Sequence, residues 1–456
     1  MKNIFCFILI LMVILSGCTN KEDANRRPWR LMTVAPGHFH ASLLQKTMLE
    51  GVDSVCYIYG ASQQDIQGHL DLLNTYNKRP QMPTSWESKV YIGSDFFEKM
   101  LAEKRGNIVV LAGNNKEKTS YINQSVLAGL NVLSDKPMVI DDKGFELLKE
   151  AFTNAQKKDV LIYDIMTERY DPNIVMQSHL MKESAIFGTL QKGSLEHPSV
   201  IKKSKHHFYK EVSGNALTRP PWYYDVEQEG EGIVDVTTHM IDLIQWQCFP
   251  EQVFDYANDI QVLKASRWPV RLSKDQFTKS TRVEEFPEYL KKNVRDDSLY
   301  VSANGTIDYT IKDVHASVEV EWAFQAVPGA GDTHYSEVLG SRSRLTIRQD
   351  AKQNFKATLR IEPLSEVGFS QREQEEMAIS FKSLQNRFPG LIFLADGKSY
   401  RVEIPDSLKT SHEEHFAKVA EKYLSYLADG HMPEWERSYI LSKYYVTTQA
   451  LKLAKE

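Results

Sequence analysis

Residues 30–165 alternate short apolar or β-branched runs with longer polar-apolar stretches, and this rhythm limits the fold more than anything else in the chain. Strands are expected at Arg30–Val34, Ser54–Tyr59, Lys89–Ile92, Asn107–Ala112, Asn131–Ser134 and Val160–Ile165. Helices are expected at Ala41–Glu50, Ser94–Arg105 with Ser94 as N-cap, Glu117–Gly129 and Lys143–Lys157. Strands separated by helices point to βαβ units, hence to a parallel, doubly wound α/β sheet. After about residue 170 the rhythm changes. A helix over Pro172–Ser184 precedes longer strands, among them the period-two run Val314–Phe324 and a hairpin at Ala303-Asn304-Gly305-Thr306. Further strands are read at Arg344–Arg348, Phe355–Ile361 and Ser399–Ile404, and helix returns after a capping box at Ser411 and Glu414. The second part is therefore an α+β unit with a large, mainly antiparallel sheet.

The first residues have a different character. Lys2 precedes twelve apolar residues, Ile4–Leu15, too few to span a bilayer core that needs about 20. Charge, short apolar run and small residues in this order read as an export signal. The run ends in Leu15-Ser16-Gly17-Cys18, which resembles the bacterial lipobox, so Cys18 is the expected lipidation site. The organisation that follows is a signal peptide at 1–17, a polar tether at 18–29, a Rossmann-like domain at 30–165 and a substrate and oligomerisation domain at 166–456. The location is the cell envelope, by a lipid anchor on the periplasmic face or the cell surface. A net charge of −5 gives no basic excess for nucleic acid. Cys56 and Cys248 can form a disulfide after export or remain buried thiols.

Three segments carry the chemistry. The loop after the first strand, Val34-Ala35-Pro36-Gly37-His38-Phe39-His40, lies where a dinucleotide fold places G-x-G-x-x-G, and it keeps only the second glycine, Gly37. An acidic residue for the adenosine ribose is missing after the second strand, where Ser62 is the polar group at hand. The second segment, Ala128–Met138, puts Lys136 at the carboxyl edge of a parallel strand, where ligands bind in such folds. The third runs Trp222-Tyr223-Tyr224-Asp225, then Gly230, Gly232, Asp235, His239 and Asp242. On one helix Asp235 and His239 would share a face.

In this order the three segments resemble the Gfo/Idh/MocA family of glucose–fructose oxidoreductase, inositol dehydrogenase and related sugar dehydrogenases. The family motif A-G-x-x-V-x-x-E-K-P is matched at Ala128–Pro137 with Asp135 in place of glutamate, and W-x-x-D, glycines and D-x-x-x-H-x-x-D are all filled. The family's T-P-N loop survives as Gly113-Asn114-Asn115. The resemblance implies NAD or NADP, with Gly37, His38, Asn115 and Lys136 on the cofactor and Lys136, Asp235 and His239 as the catalytic group. His239 would act as general base and acid, Lys136 would bond the reacting oxygen, and Asp235 would anchor substrate or orient the imidazole. Arg169, Trp222, Tyr223 and Asp225 are the substrate-side candidates, with Trp222 and Tyr223 stacking on a sugar face or packing in the core. No metal site is expected. Free NAD is scarce outside the cytoplasm, so an exported enzyme needs a cofactor that stays bound. Three functions follow: a sugar or glycoside oxidoreductase, an NAD-dependent enzyme that cleaves glycosides by oxidation, elimination and reduction, and a cofactor-less carbohydrate-binding lipoprotein. A homo-oligomer through the open face of the antiparallel sheet is expected.

Overall fold

The structure, a computed structural model, describes residues 29–456 except 213–214 and 328–329. Cys18 and the signal segment lie outside the described residues.

Six parallel strands, β1 (Leu31–Val34), β2 (Val55–Gly60), β3 (Glu87–Ile92), β4 (Ile108–Leu111), β5 (Asn131–Ser134) and β6 (Ile162–Asp164), are ordered β3-β2-β1-β4-β5-β6. The order reverses between β1 and β4, which opens a crevice at their carboxyl ends, the place where doubly wound folds bind ligands. The crossovers carry α1 (His40–Leu43), α2 (Gln63–Lys78), α3 (Phe96–Glu103), α4 (Lys118–Leu127) and α5 (Asp142–Lys158). The first helix is a four-residue stub rather than the expected Ala41–Glu50. Helix α2 was not expected at all. Its buried stripe is thin, Ile66, Leu73 and Tyr76 among polar residues, and Ser62 caps it by accepting from Asp65 N, which occupies that hydroxyl structurally. Asp95, not Ser94, precedes α3. Gly129 follows α4 at φ +78°, as a helix C′ position requires.

Helix α6 (Pro172–Met181) leads into the second sheet. Its strands are β7 (Val200–Tyr209), then, after a small ribbon β8 (Glu211–Val212) and β9 (Asn215–Ala216), β10 (Ile260–Ser273), β11 (Val294–Arg295), β12 (Ser298–Ile311), β13 (Val314–Gln325), β14 (Thr333–Leu339), β15 (Ser343–Arg348), β16 (Thr358–Pro363), β17 (Ile392–Asp396) and β18 (Ser399–Glu403). Ten of these form one sheet, antiparallel except where β13 runs beside β7. Helices α7 (Thr237–Cys248), α8 (Tyr256–Asp259), α9 (Lys274–Thr281), α10 (Gln371–Arg387), α11 (His412–Asp429) and α12 (Glu434–Lys455) complete the chain.

The hairpin expected at Asn304-Gly305 does not exist. β12 runs straight through it, and Gly305 pairs with Arg267 on one side and Val320 on the other. Glycine is needed there for close packing: a Cβ would stand 3.0 Å from both Ile233 Cβ and the Ser266 carbonyl oxygen. The chain turns instead at Lys312 and Asp313, both at positive φ.

The last two helices return to the parallel sheet. Phe416, Val419, Ala420, Tyr423 and Leu427 of α11 pack into the core on the α1–α2 face. Ile440, Leu441 and Tyr444 of α12 join the core on the α3–α5 face, while its Tyr439, Val446, Ala450 and Leu451 face the large sheet. Ser411 caps α11 with Glu414 in the reciprocal box read from sequence. On the large sheet's outer face Lys203 meets Glu319 at 2.7 Å and Lys205 meets Glu321 at 3.8 Å. Cys56 and Cys248 are free thiols. No helix among the described residues is long and apolar enough to cross a membrane.

Candidate active site

A cavity of about 850 Å³ lies between the carboxyl edge of the parallel sheet and the inner face of the large one. The β1 loop supplies His38 and His40, the end of β5 supplies Lys136, and the start of α7 supplies His239. Asp235 lies just before α7, two residues ahead of Thr237, so it does not share a helix face with His239 in the way the spacing suggested. Both nevertheless line the cavity. The far wall carries His206 from β7, with Lys210 and Asp332, and the rim carries His412 and His415 from α11.

Lys136 Nζ is hydrogen-bonded to Asp235 Oδ1. Burial works against the ammonium charge, but Asp235 and Asp135 outweigh it and hold the lysine above its usual range. Asp235 therefore orients Lys136, not the imidazole. His239 is held well below the usual histidine range by burial, with Lys136 adding to the effect, so it is neutral near pH 7. Its Nδ1 is buried and has no hydrogen-bond partner. A neutral imidazole beside a charged lysine can take a proton from a hydroxyl whose oxygen the lysine holds.

The remaining candidates divide. Tyr223 lines the cavity, with the Arg219 guanidinium 4.2 Å from its ring centre. Gly37, Asn115, Trp222 and Asp225 do not line it. Asn115 Nδ2 donates to the Glu229 carbonyl at 2.7 Å and to its carboxylate at 3.1 Å, while its buried Oδ1 has no partner. Asp225 accepts from Glu227 N and Gln228 Nε2, which makes it a turn cap and corrects its substrate-side assignment. Trp222 lies against Gly37, where an added Cβ would come within 3.2 Å of the indole.

Arg169 is also corrected. It is buried, bonded through two nitrogens to Asp242 at 2.6 and 2.7 Å and through a third to Glu436 at 2.8 Å. All three nitrogens of its fork are engaged with these carboxylates, and it does not line the cavity. Lys443 joins the same network, 2.7 Å from Asp164 and 3.3 Å from Asp242.

Sequence reasoning missed Glu229, and it missed that His38, named for the cofactor, meets His40 and Asp135 in one ligand-like group. Burial, with Asp235 beside it, raises Glu229 well above the carboxylate range. Its one sequence signal is its place between Asp225 and the paired glycines.

Residues 176–455 match the family model described as "Putative oxidoreductase C terminal domain". The chain belongs to this family of oxidoreductases. A crystal structure of a "putative oxidoreductase" from Parabacteroides merdae is 43% identical, with a TM-score of 0.91 over 94% of this chain and 97% of that one. A curated relative, "Putative oxidoreductase YteT" of Bacillus subtilis, is 24% identical over 216 residues, 45% of this chain. The match spans about half of that relative's length, 47%. Levoglucosan dehydrogenase, solved with NADH and levoglucosan, shares the fold at a TM-score of 0.59 and 13% identity, covering 94% of this chain and 98% of that one. Other structures of this fold hold NAD or NADP.

Proposed function

We propose that the chain interconverts a secondary hydroxyl of a sugar or glycoside and the corresponding ketone, with NAD or NADP as a bound partner. The observation that carries this reading is the convergence of Lys136, Asp235 and His239 on one cavity at the carboxyl edge of a Rossmann sheet. Support from the fold is that levoglucosan dehydrogenase holds NADH and a sugar derivative.

The residues fit a dinucleotide unevenly. At the nicotinamide end Lys136 and the partnerless Asn115 Oδ1 are suitable groups. At the diphosphate end the chain departs from the pattern: Gly37 N is spent on the Ala35 carbonyl at 2.7 Å and His38 N on the Ala112 carbonyl at 3.1 Å. When bound, the cofactor supplies the hydride carrier. The chain's own part is clear. Lys136 holds the hydroxyl oxygen, Asp235 keeps the lysine charged, and the His239 imidazole accepts the proton. In the reverse direction the imidazole returns it.

A second reading, glycoside cleavage by oxidation, elimination and reduction, is favoured by the far wall. There Lys210, His206 and His207 surround Asp332, a second titratable set that hydride transfer alone does not need. The test is to denature the purified chain and look for released nicotinamide dinucleotide by absorbance and mass. Absence of release, with no binding of added NAD or NADP, rejects both readings. His239→Ala should lower turnover about 10²–10⁴-fold with the fold intact. The lipid anchor is a separate proposal carried by Leu15-Ser16-Gly17-Cys18. Labelled palmitate should enter the wild type, and its entry into Cys18→Ser as well would reject the anchor.

A further inference from the structure

Departures from the family pattern that are far apart in sequence meet at one point in space. His40 stands where the third glycine of the loop is expected, His38 two residues before it, and Asp135 where the glutamate ahead of Lys136 is expected. Their ligand atoms all lie within 4.8 Å of one another. Asp135 Oδ2 is 2.9 Å from His40 Nδ1 and 3.6 Å from His38 Nδ1. A tetrahedral ion with bonds of about 2.0–2.1 Å spaces its ligands roughly 3.3 Å apart, and these separations bracket that value.

Three further observations point the same way. Asp135 Oδ1 is buried with no hydrogen-bond partner, so the carboxylate has unused ligand capacity. The two imidazoles are themselves adjacent, their ring centres 4.1 Å apart and crossed edge to face. His38 and His40 line the cavity while Asp135 lies behind them, so a further ligand position opens onto the cavity. Phe416, 4.7 Å from the His40 ring centre, packs that imidazole in place. The nearby ammonium groups do not oppose a cation unchecked: Lys136 is paired with Asp235, and Lys118 feels Asp135 and Glu229.

We propose that His38, His40 and Asp135 bind one divalent first-row transition ion, with an open coordination position facing the cavity beside Lys136. Two imidazoles and a carboxylate suit Zn²⁺, Fe²⁺ or Ni²⁺ better than Ca²⁺ or a soft thiophilic ion. The open position would take a hydroxyl or carbonyl oxygen of whatever occupies the cavity. This site does not depend on the oxidoreductase reading, because it can be measured without cofactor or substrate.

The test strips the purified full chain with chelator, then titrates Zn²⁺ and, separately, Co²⁺. The expected result is one ion per chain by elemental analysis and visible Co²⁺ ligand-field bands. Affinity should fall at least 10–100-fold in His40→Ala and in Asp135→Asn, and stay unchanged in His412→Ala, on the cavity rim outside the cluster. Circular dichroism confirms that each variant is folded, with His38→Gln as the substitute if His40→Ala is not. Failure of the wild type to retain Zn²⁺ at micromolar concentration, or equal retention by a folded His38→Ala/His40→Ala double variant, overturns the site. Zinc retention without any dinucleotide would leave this proposal standing and reject the previous one.

Discussion

Asp242 and His239 lie one helical turn apart on α7, yet they belong to two differently built clusters. Around Asp242 every charged group has a partner: Arg169 and Lys443 meet Asp242, Asp164 and Glu436, and Tyr444 donates to Asp164 at 2.9 Å. Lys443 is fully buried there, and this cluster ties β6, α7 and α12 together. Around His239 the groups are less deeply buried, and beside the Lys136–Asp235 pair some of their atoms are left unpaired. The partnerless atoms there are His239 Nδ1 and Asp135 Oδ1, against Asp164 Oδ1 alone in the first cluster. Leaving buried polar atoms unpaired costs about 1–3 kcal/mol each, a cost a protein retains where a ligand will pair them. The first cluster joins the parallel sheet to α7 and α12; in the second, His239 lines the cavity.

Two substitutions set the clusters against each other. The larger effect belongs to Asp242→Leu, which removes the carboxylate that Arg169 and Lys443 share and should cost about 3–5 kcal/mol in thermal or denaturant unfolding. A loss below about 1 kcal/mol would show that the network is not a structural clamp. The smaller effect belongs to His239→Gln, whose stability near neutral pH should stay within about 1 kcal/mol of the wild type. Its signature is in acid. The folded-state pKa of His239 is depressed, so its contribution is intact above the unfolded histidine value of about 6.5 and is lost as pH falls below it. The variant should therefore lose less stability than the wild type between pH 7 and pH 5. Parallel acid curves would mean that His239 is not held neutral.

What could be read from sequence was what neighbours along the chain decide. The strand–helix rhythm and the Ser411–Glu414 box are local features, and both are present. Gly305 was misread because glycine serves turns and close packing alike, and Ile233 and Ser266, not its neighbours, choose between them. Arg169 was misassigned because its partners stand 73 and 267 positions away. Lys136, Asp235 and His239 were found because a family pattern carries them. His40 and Asp135 were each visible as departures from that pattern, and only the fold shows that residues 95 positions apart share a hydrogen bond.

The return of α11 and α12 to the parallel sheet bears on how the molecule is made. Met138 N donates to the Tyr444 hydroxyl across 306 positions, and Tyr423 donates to the Leu161 carbonyl across 262. The six strands leave the ribosome long before the helices that cover both of their faces. During that interval the half-made sheet exposes apolar surface, and contacts so distant in sequence close slowly. Synthesis and folding are thereby separated in time: the domain translated earlier of the two is finished only when the end of the other arrives.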